Sequence, residues 1–369
     1  MASAGGRDLR LDFFRGLALV TIFVNHVPGN ILEHLTSRNF GFSDAAEAFV
    51  LMSGMAAGLA YGRGLLSAEF IPTAARVWSR ALKLYAVHAA ITLAAVLILM
   101  WGLKFHGETT VFGNVNASAV LADPVSAIIG IFILGHQLGY FNILPLYMVL
   151  LAATPFMVRL AARSPLLLLG ASIAAWLCAG LMALNFPNWP TPGGWFLNPL
   201  SWQLVYVVGL LAGLSVKRGR KLVPYSRLLF WAAVGFLAYS AAVVRLDWWS
   251  MAVAEGMPSF IGGFDKTYLS LQRLIHVLCL AYVIANIGMV ERIASAAASA
   301  PLNYLGRNSL PVFAAGSVIC ILLQVLKSIY TVSVPLDLVL LSAGLALQYA
   351  AAAAGSCFPG RATLAVGRS

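Results

Sequence analysis

The sequence predicts an all-α, polytopic membrane protein: a bundle of ten transmembrane helices plus one re-entrant or peripheral apolar segment (about 119–137), with both termini cytoplasmic. Three observations predict it. Of the 369 residues, 60% are hydrophobic and only 10% charged, with mean hydropathy +0.86. The apolar residues fall in eleven runs of roughly the ~20 residues that span a bilayer, without the alternation of a membrane barrel. The cations gather in the short connections between those runs.

The runs are 11–29, 44–62, 80–103, 119–137, 143–163, 166–184, 200–216, 227–245, 268–289, 308–328 and 335–354. No charged or Ser/Pro-rich linker divides them, so residues 1–369 read as one domain, with a short cytoplasmic tail at 355–369. Arg7 and Arg10 place the N-terminus inside, and Arg63, Arg76, Arg80 and Lys83 then return to the inside after two spans. If 119–137 crossed fully, Arg159, Arg163 and the Lys217–Lys221 cluster would lie outside. If it dips into the outer face instead, these cations, with Arg292, Arg307, Arg361 and Arg368, are all cytoplasmic. Re-entrant backbone survives only beside protein or water, so this segment points to a cavity open to the outer face.

The net charge of +11 follows this pattern and does not indicate nucleic acid. Cys178, Cys279 and Cys320 lie in apolar runs and, with Cys357, form no C-x-x-C, so neither a disulfide framework nor a metal site is expected. No cleavable signal peptide is expected, because the first run carries ionisable residues and no clear cleavage site. No Walker loop, dinucleotide fingerprint or HExxH occurs, and no bound cofactor is expected.

The first span carries Asp12, Arg15 and His26. Arg15 and His26, eleven residues apart, fall within roughly 20° of one helix face and about 16 Å apart along the axis. Ionisable groups in a span are costly and mark function; Asp12, near the helix start, also suits interfacial snorkelling. The connection 36–44 brings Arg38 and Asn39 to the outer mouth. The second span opens with Asp44 and Glu47 on one face. Asp44 suits an N-cap; Glu47, near the same boundary as His26, is placed to orient its imidazole as a general base.

Arg76, Arg80 and Lys83 share a face at the cytoplasmic start of the third span. With Arg15 they suit the phosphates of a nucleotide-like donor, or simple anchoring of the inner face. Segment 185–202, with Trp195, and segment 245–266, with Trp249, offer aromatic rings beside polar groups, as a sugar site or an interfacial belt would. The span at 268–289 adds Arg273, placed to bind a carboxylate or to pair with Glu47, and His276. His136 lies in the re-entrant segment, and His88 reads as packing.

Four stretches together resemble the membrane acyltransferase-3 superfamily: Arg10-Leu11-Asp12-Phe13-Phe14-Arg15-Gly16 with His26; Glu47-Ala48-Phe49-Val50-Leu51-Met52-Ser53-Gly54; Arg80-Ala81-Leu82-Lys83-Leu84-Tyr85; and Leu305-Gly306-Arg307-Asn308-Ser309-Leu310. The blocks Asn25–Asn30 and Thr36–Glu47 resemble one branch, the OpgC-type succinyltransferases of osmoregulated periplasmic glucans. The sequence departs from the wider superfamily in Lys83 where Arg is usual, in Pro311, and in lacking a late His after the Leu-Gly-Arg segment.

The resemblance implies a multi-pass enzyme of the bacterial inner membrane, surrounded by lipid. Succinyl-CoA would be its co-substrate, with the phosphates near Arg15, Arg76, Arg80 and Lys83. Periplasmic glucan would be the acceptor, held by Arg38, Asn39, His276, Trp195 and Trp249, with Arg273 or Arg38 on the succinyl carboxylate. His26, Glu47 and Asp44 would form the catalytic group. The alternatives are an O-acetyltransferase of another surface glycan, and a solute or lipid-linked sugar transporter whose ionisable residues relay protons.

Overall fold

A computed structural model describes residues 8–357. Arg7, Arg361, Arg368 and most of the tail lie outside the described residues. Among the described residues the chain is helical without strands. Ten long helices follow in order: α1 (Leu9–Asn25), α2 (Ala45–Leu65), α3 (Phe70–His106), α4 (Ile143–Arg163), α5 (Pro165–Leu181), α6 (Pro199–Lys217), α7 (Arg227–Arg245), α8 (Leu271–Asn286), α9 (Ser309–Ile329) and α10 (Val334–Cys357).

Each falls on one of the expected spans. Seven helices, all but α1, α5 and α8, are long and apolar enough to cross a membrane by themselves. Those three have 17, 17 and 16 residues, or ~25 Å of rise each. A bend of 80° separates α8 from the helix Gly288–Ser295. The 37-residue α3 begins ten residues before the expected span and rises ~55 Å, well beyond a ~30 Å hydrocarbon core. The excess turns hold Arg76 and Arg80.

Segment 119–137 makes no long helix. Asp123 and Pro124 break it, the first accepting a hydrogen bond from the Ser126 amide and the second fixing the start of the nine-residue helix Pro124–Phe132. Nine residues rise only ~14 Å. The Tyr85 hydroxyl of α3 donates to the Phe132 carbonyl at 2.7 Å and ties this short helix to the bundle. His88, on the same helix, is fully buried.

Small residues decide which helices touch. Gly54 and Gly58 of α2 face Gly209 and Gly213 of α6, each four residues apart. A Cβ at Gly54 would stand 2.1 Å from the Tyr206 carbonyl oxygen, and one at Gly209 would stand 2.0 Å from that of Leu51. Apolar side chains give little reason for two helices to associate in lipid, so close backbone approach through such pairs supplies the packing. A second contact joins α1 to the helix Ala300–Arg307. A Cβ at Gly306 would stand 1.8 Å from the Asp12 carbonyl oxygen, and one at Gly16 would stand 2.0 Å from that of Leu302. Asp12, buried, pairs with Arg307 at 3.8 Å across this crossing. The first and last of the four stretches therefore dock on each other.

Candidate functional site

The connections after α1, before α4, between α5 and α6, and between α7 and α8 meet at one end of the bundle. Hydrogen bonds link the last three: the Trp189 amide to the Gly135 carbonyl at 3.0 Å, the Asn198 amide to Thr267 at 3.3 Å, and Trp202 Nε1 to the Lys266 carbonyl at 2.9 Å. Between them lies a cavity of about 510 Å³, inside the ~300–1,000 Å³ range of small-molecule sites. Its wall includes the residues that follow segment 119–137, in line with the cavity expected there.

His26 stands at the floor of this cavity, as the residue that ends α1. The chain turns away through Gly29, whose φ of +70° suits a residue without Cβ. The buried Asn30 amide then donates back to the carbonyls of Val24, at 2.8 Å, and Val27. This local closure explains the Asn25–Asn30 block. His26 Nδ1 lies 2.6 Å from the Ile22 carbonyl oxygen. A carbonyl only accepts, so Nδ1 carries a proton, and in the neutral imidazole the lone pair is on Nε2. Nε2 has no hydrogen-bond partner among the described residues.

Two residues that sequence reasoning missed hold His26 in place. The Tyr140 ring packs on the imidazole with centroids 4.0 Å apart. Gln324, on α9, donates from one amide nitrogen to the His26 carbonyl at 2.8 Å and to the Tyr140 hydroxyl at 2.7 Å. A Gln in the apolar run ICILLQVL was a signal available in the sequence. Ile22, His26, Tyr140 and Phe313 also border a small void of about 10 Å³, lined further by Gly316, Ser317 and Cys320. His26 thus sits where a roomy cavity with carboxamides on its wall meets a tight, more apolar one.

The carboxylates behave differently from expectation. Asp44 is the N-cap of α2, accepting from the Ala46 amide at 2.8 Å, and Glu47 closes a capping box by accepting from the Asp44 amide at 2.9 Å. Arg273 Nε donates to Glu47 Oε1 at 2.6 Å, and its Nη2 lies 3.5 Å from Asp44 Oδ2. Lys266 makes an ion pair with Asp44. Burial works to raise the Asp44 carboxyl, but the charges of Lys266 and Arg273 outweigh it and hold the group well below the usual carboxylate range. The expectation that Glu47 orients His26 is corrected: Glu47 is fully buried against Arg273, and the Ile22 carbonyl holds the imidazole instead.

Several expected acceptor-binding residues have structural work and stand off the cavity wall. Arg273 is committed to the two carboxylates. His276 Nδ1 accepts from the Ser43 amide at 3.3 Å and hydroxyl at 2.6 Å, and its ring fills the space beside Gly41. The Asn39 amide donates to the Glu33 carbonyl at 2.6 Å and shapes the loop. Trp195 is buried against Phe186, and Trp249 packs on Phe264 and Phe42. Arg38 does reach the cavity, paired with Glu33 at 2.8 Å.

The cavity wall is instead rich in carboxamides: Asn25, Asn116, Gln137, Asn142 and Asn188, with Phe196 as an aromatic face. Three of them use their NH₂ on backbone carbonyls, Asn116 on Gln137, Gln137 on Leu134 and Asn188 on Gly194. Their side-chain oxygens remain as acceptors for hydroxyl groups. They come from four distant segments, so no local pattern marked them.

At the other end of the bundle the expected donor cations are partly brought together. Arg15 donates to the Met52 carbonyl at 3.2 Å, and Arg15 and Arg80 both lie within electrostatic range of Tyr147. Arg76 donates to Thr73 Oγ1 at 2.9 Å and, like Lys83, is exposed.

Among the described residues no group of three or more His, Cys, Asp or Glu is suited to a metal ion. A family model described as OpgC protein matches residues 7–358. No curated protein and no solved structure matches the chain.

Proposed function

Because this chain belongs to the OpgC protein family, we propose that it modifies osmoregulated periplasmic glucan as an O-succinyltransferase of the bacterial inner membrane. Succinyl-CoA is its donor, and ten spans keep both termini cytoplasmic. The observation that carries the reading is the placement of His26. His26 is held through Nδ1 by the Ile22 carbonyl, leaves Nε2 without a partner among the described residues, and lies between a cavity whose wall is rich in amides and a small apolar void. The amide oxygens and Phe196 suit a neutral sugar, whose hydroxyls donate and whose C–H face stacks on an aromatic ring.

The acceptor hydroxyl lies against His26 Nε2. Its oxygen attacks the thioester carbonyl carbon as Nε2 takes the hydroxyl proton, and the C–S bond then breaks. The proton passes from Nε2 to the departing thiolate, leaving a succinyl ester on the glucan and free CoA. Ile22 holds the imidazole tautomer throughout, and Gln324 with Tyr140 hold its position. Arg15, Arg80, Arg76 and Lys83, at the cytoplasmic end, are the residues that would meet the CoA phosphates. Glu47, Asp44 and Arg273 shape the outer mouth.

The test is to incubate purified protein in nanodiscs with succinyl-CoA and periplasmic β-glucan and to weigh the glucan by mass spectrometry. Wild type is expected to add succinyl groups and release CoA stoichiometrically, and His26→Ala to add none. A folded wild-type preparation that yields no covalent product from succinyl-CoA or acetyl-CoA would overturn the proposal.

A further inference from the structure

Within the cavity one cation is held in a way that leaves it free to change partners. Lys266 lies on the cavity wall with 27% of its side chain exposed, against 13% for Arg273. Its backbone is fixed, since its carbonyl accepts from Trp202 Nε1 at 2.9 Å and its neighbour Thr267 accepts from the Asn198 amide. Its ammonium sits on a flexible stem 5.9 Å from the Phe196 ring centre. The partner, Asp44, has other support. If Lys266 turned away, Asp44 would keep the Ala46 amide at 2.8 Å, Arg273 at 3.5 Å and the N-terminus of a 21-residue helix.

The other cations lack this freedom. Arg273 leaving Glu47 would strand a fully buried carboxylate. Arg38 is the cationic partner of Glu33, which has no second one among the described residues. Lys266 is also within electrostatic reach of His26, as are Asp44 and Arg38.

We propose that Lys266 recognises the free carboxylate at the far end of the donor's acyl chain, exchanging Asp44 for it. The inference rests on the acyl-transfer reading above. A succinyl group places that carboxylate two methylenes from the reacting carbonyl, so a group in contact with it must line the cavity that His26 lines, as Lys266 does. When Lys266 turns to the incoming carboxylate, Asp44 keeps Arg273 and the helix N-terminus, so neither carboxylate is left without a positive partner. An acetyl donor, which lacks the carboxylate, gains nothing from the exchange.

The experiment is a one-pot competition. Equal concentrations of succinyl-CoA and acetyl-CoA are offered with glucan to wild type, Lys266→Met and Lys266→Arg, and the two esters are counted by mass spectrometry. In Lys266→Met the succinyl-to-acetyl product ratio should fall at least tenfold, and Lys266→Arg should stay within threefold of wild type. An unchanged ratio in Lys266→Met overturns the proposal, as does equal loss of both products while Lys266→Arg also loses the preference. If Lys266→Met makes neither product, Lys266→Arg decides: a retained ratio supports the charge, a lost one overturns it. Wild type that transfers neither group overturns the acyltransferase reading itself, and this inference with it.

Discussion

His26 Nδ1 and the carbonyl of Ile22, one helical turn apart, make a 2.6 Å hydrogen bond that fixes which imidazole nitrogen carries the proton. The other nitrogen is left without a hydrogen-bond partner among the described residues, on a residue that lines the cavity. A base made this way needs no carboxylate partner, since the carbonyl sets the tautomer while Gln324 and Tyr140 hold the position. Asparagine at this position can still donate to Ile22 but has no basic nitrogen. His26→Asn should therefore keep wild-type thermal stability while glucan succinylation falls by about 10²–10⁴-fold, the usual worth of a general base. Thermal unfolding in detergent and turnover, measured on one preparation, check both halves. Activity within tenfold of wild type would remove the base from His26.

Gln324 makes two bonds from one nitrogen, so its partners are coupled. Tyr140→Phe keeps the ring on His26 but removes the hydroxyl that Gln324 meets. Gln324→Leu removes both bonds and leaves the His26 carbonyl unpaired, at about 1–3 kcal/mol. Each single variant should lower kcat by about tenfold or more with little change in KM. The double variant should be no worse than Gln324→Leu alone. Simple additivity of the two losses in kcat would show that the amide and the hydroxyl act independently.

The buried pair of Arg273 and Glu47 predicts a stability effect without a base effect. Breaking one partner leaves an uncompensated charge, so Glu47→Gln or Arg273→Leu should cost about 3–5 kcal/mol. Replacing both with apolar groups should recover much of that loss. The pH dependence of whatever activity remains should keep its wild-type midpoint, because neither residue touches the imidazole. A shifted midpoint in the Glu47 variant would restore the orienting role that the geometry removes.

These outcomes separate what the sequence carries from what only the fold supplies. Hydropathy and charge placed the helices, because insertion into lipid is a local cost that each segment meets by itself. His26 stood out for the same reason, as an imidazole at the end of an apolar run. The partner of Glu47 was a different kind of question. Both His26 and Arg273 were expected near one membrane boundary, and α2 and α8 had to pack before either could win. Lys266 sits in a loop beside Phe264 and Asp265 with no pattern to mark it. The amides of the cavity wall arrive from the end of α1 and from the connections before α4 and before α6, whose meeting no periodicity encodes. Trp195 and Trp249 were conspicuous by type, yet burial and aromatic packing consume them.

Asp44 gives a pH signature for this end of the bundle. Its folded-state carboxyl is held below its usual range by Lys266 and Arg273, against the opposing effect of burial. A depressed carboxyl contributes stability that is fully present above its unfolded value and lost as pH falls through the folded one. The stability gap between wild type and Asp44→Asn should therefore stay constant from neutral pH down to about 5, and close only below the ordinary carboxylate pKa of about 3.9. Unfolding midpoints measured across that range decide it. A gap that widens on acidification would reverse the sign assigned to the pair.

The crossing of α1 with the helix Ala300–Arg307 predicts the sharpest packing effect. At Gly306 and Gly16 an added methyl meets backbone oxygen, at 1.8 and 2.0 Å, and backbone cannot rotate aside. Gly306→Ala must push the two helices apart, which breaks the contact between Asp12 and Arg307 and shifts the start of α1. The cost should be about 3 kcal/mol or more, at the upper end of overpacking effects. Gly170→Ala in α5 is the matched control: nothing stands within 4 Å of its added Cβ, and alanine favours the helix by about 1 kcal/mol. Thermal unfolding of the two variants should move in opposite directions. Because α1 carries both Arg15 and His26, Gly306→Ala should also lower turnover at temperatures where the protein is still folded. A Gly306→Ala protein with wild-type stability would mean that the first and last motifs do not meet as closely as this crossing requires.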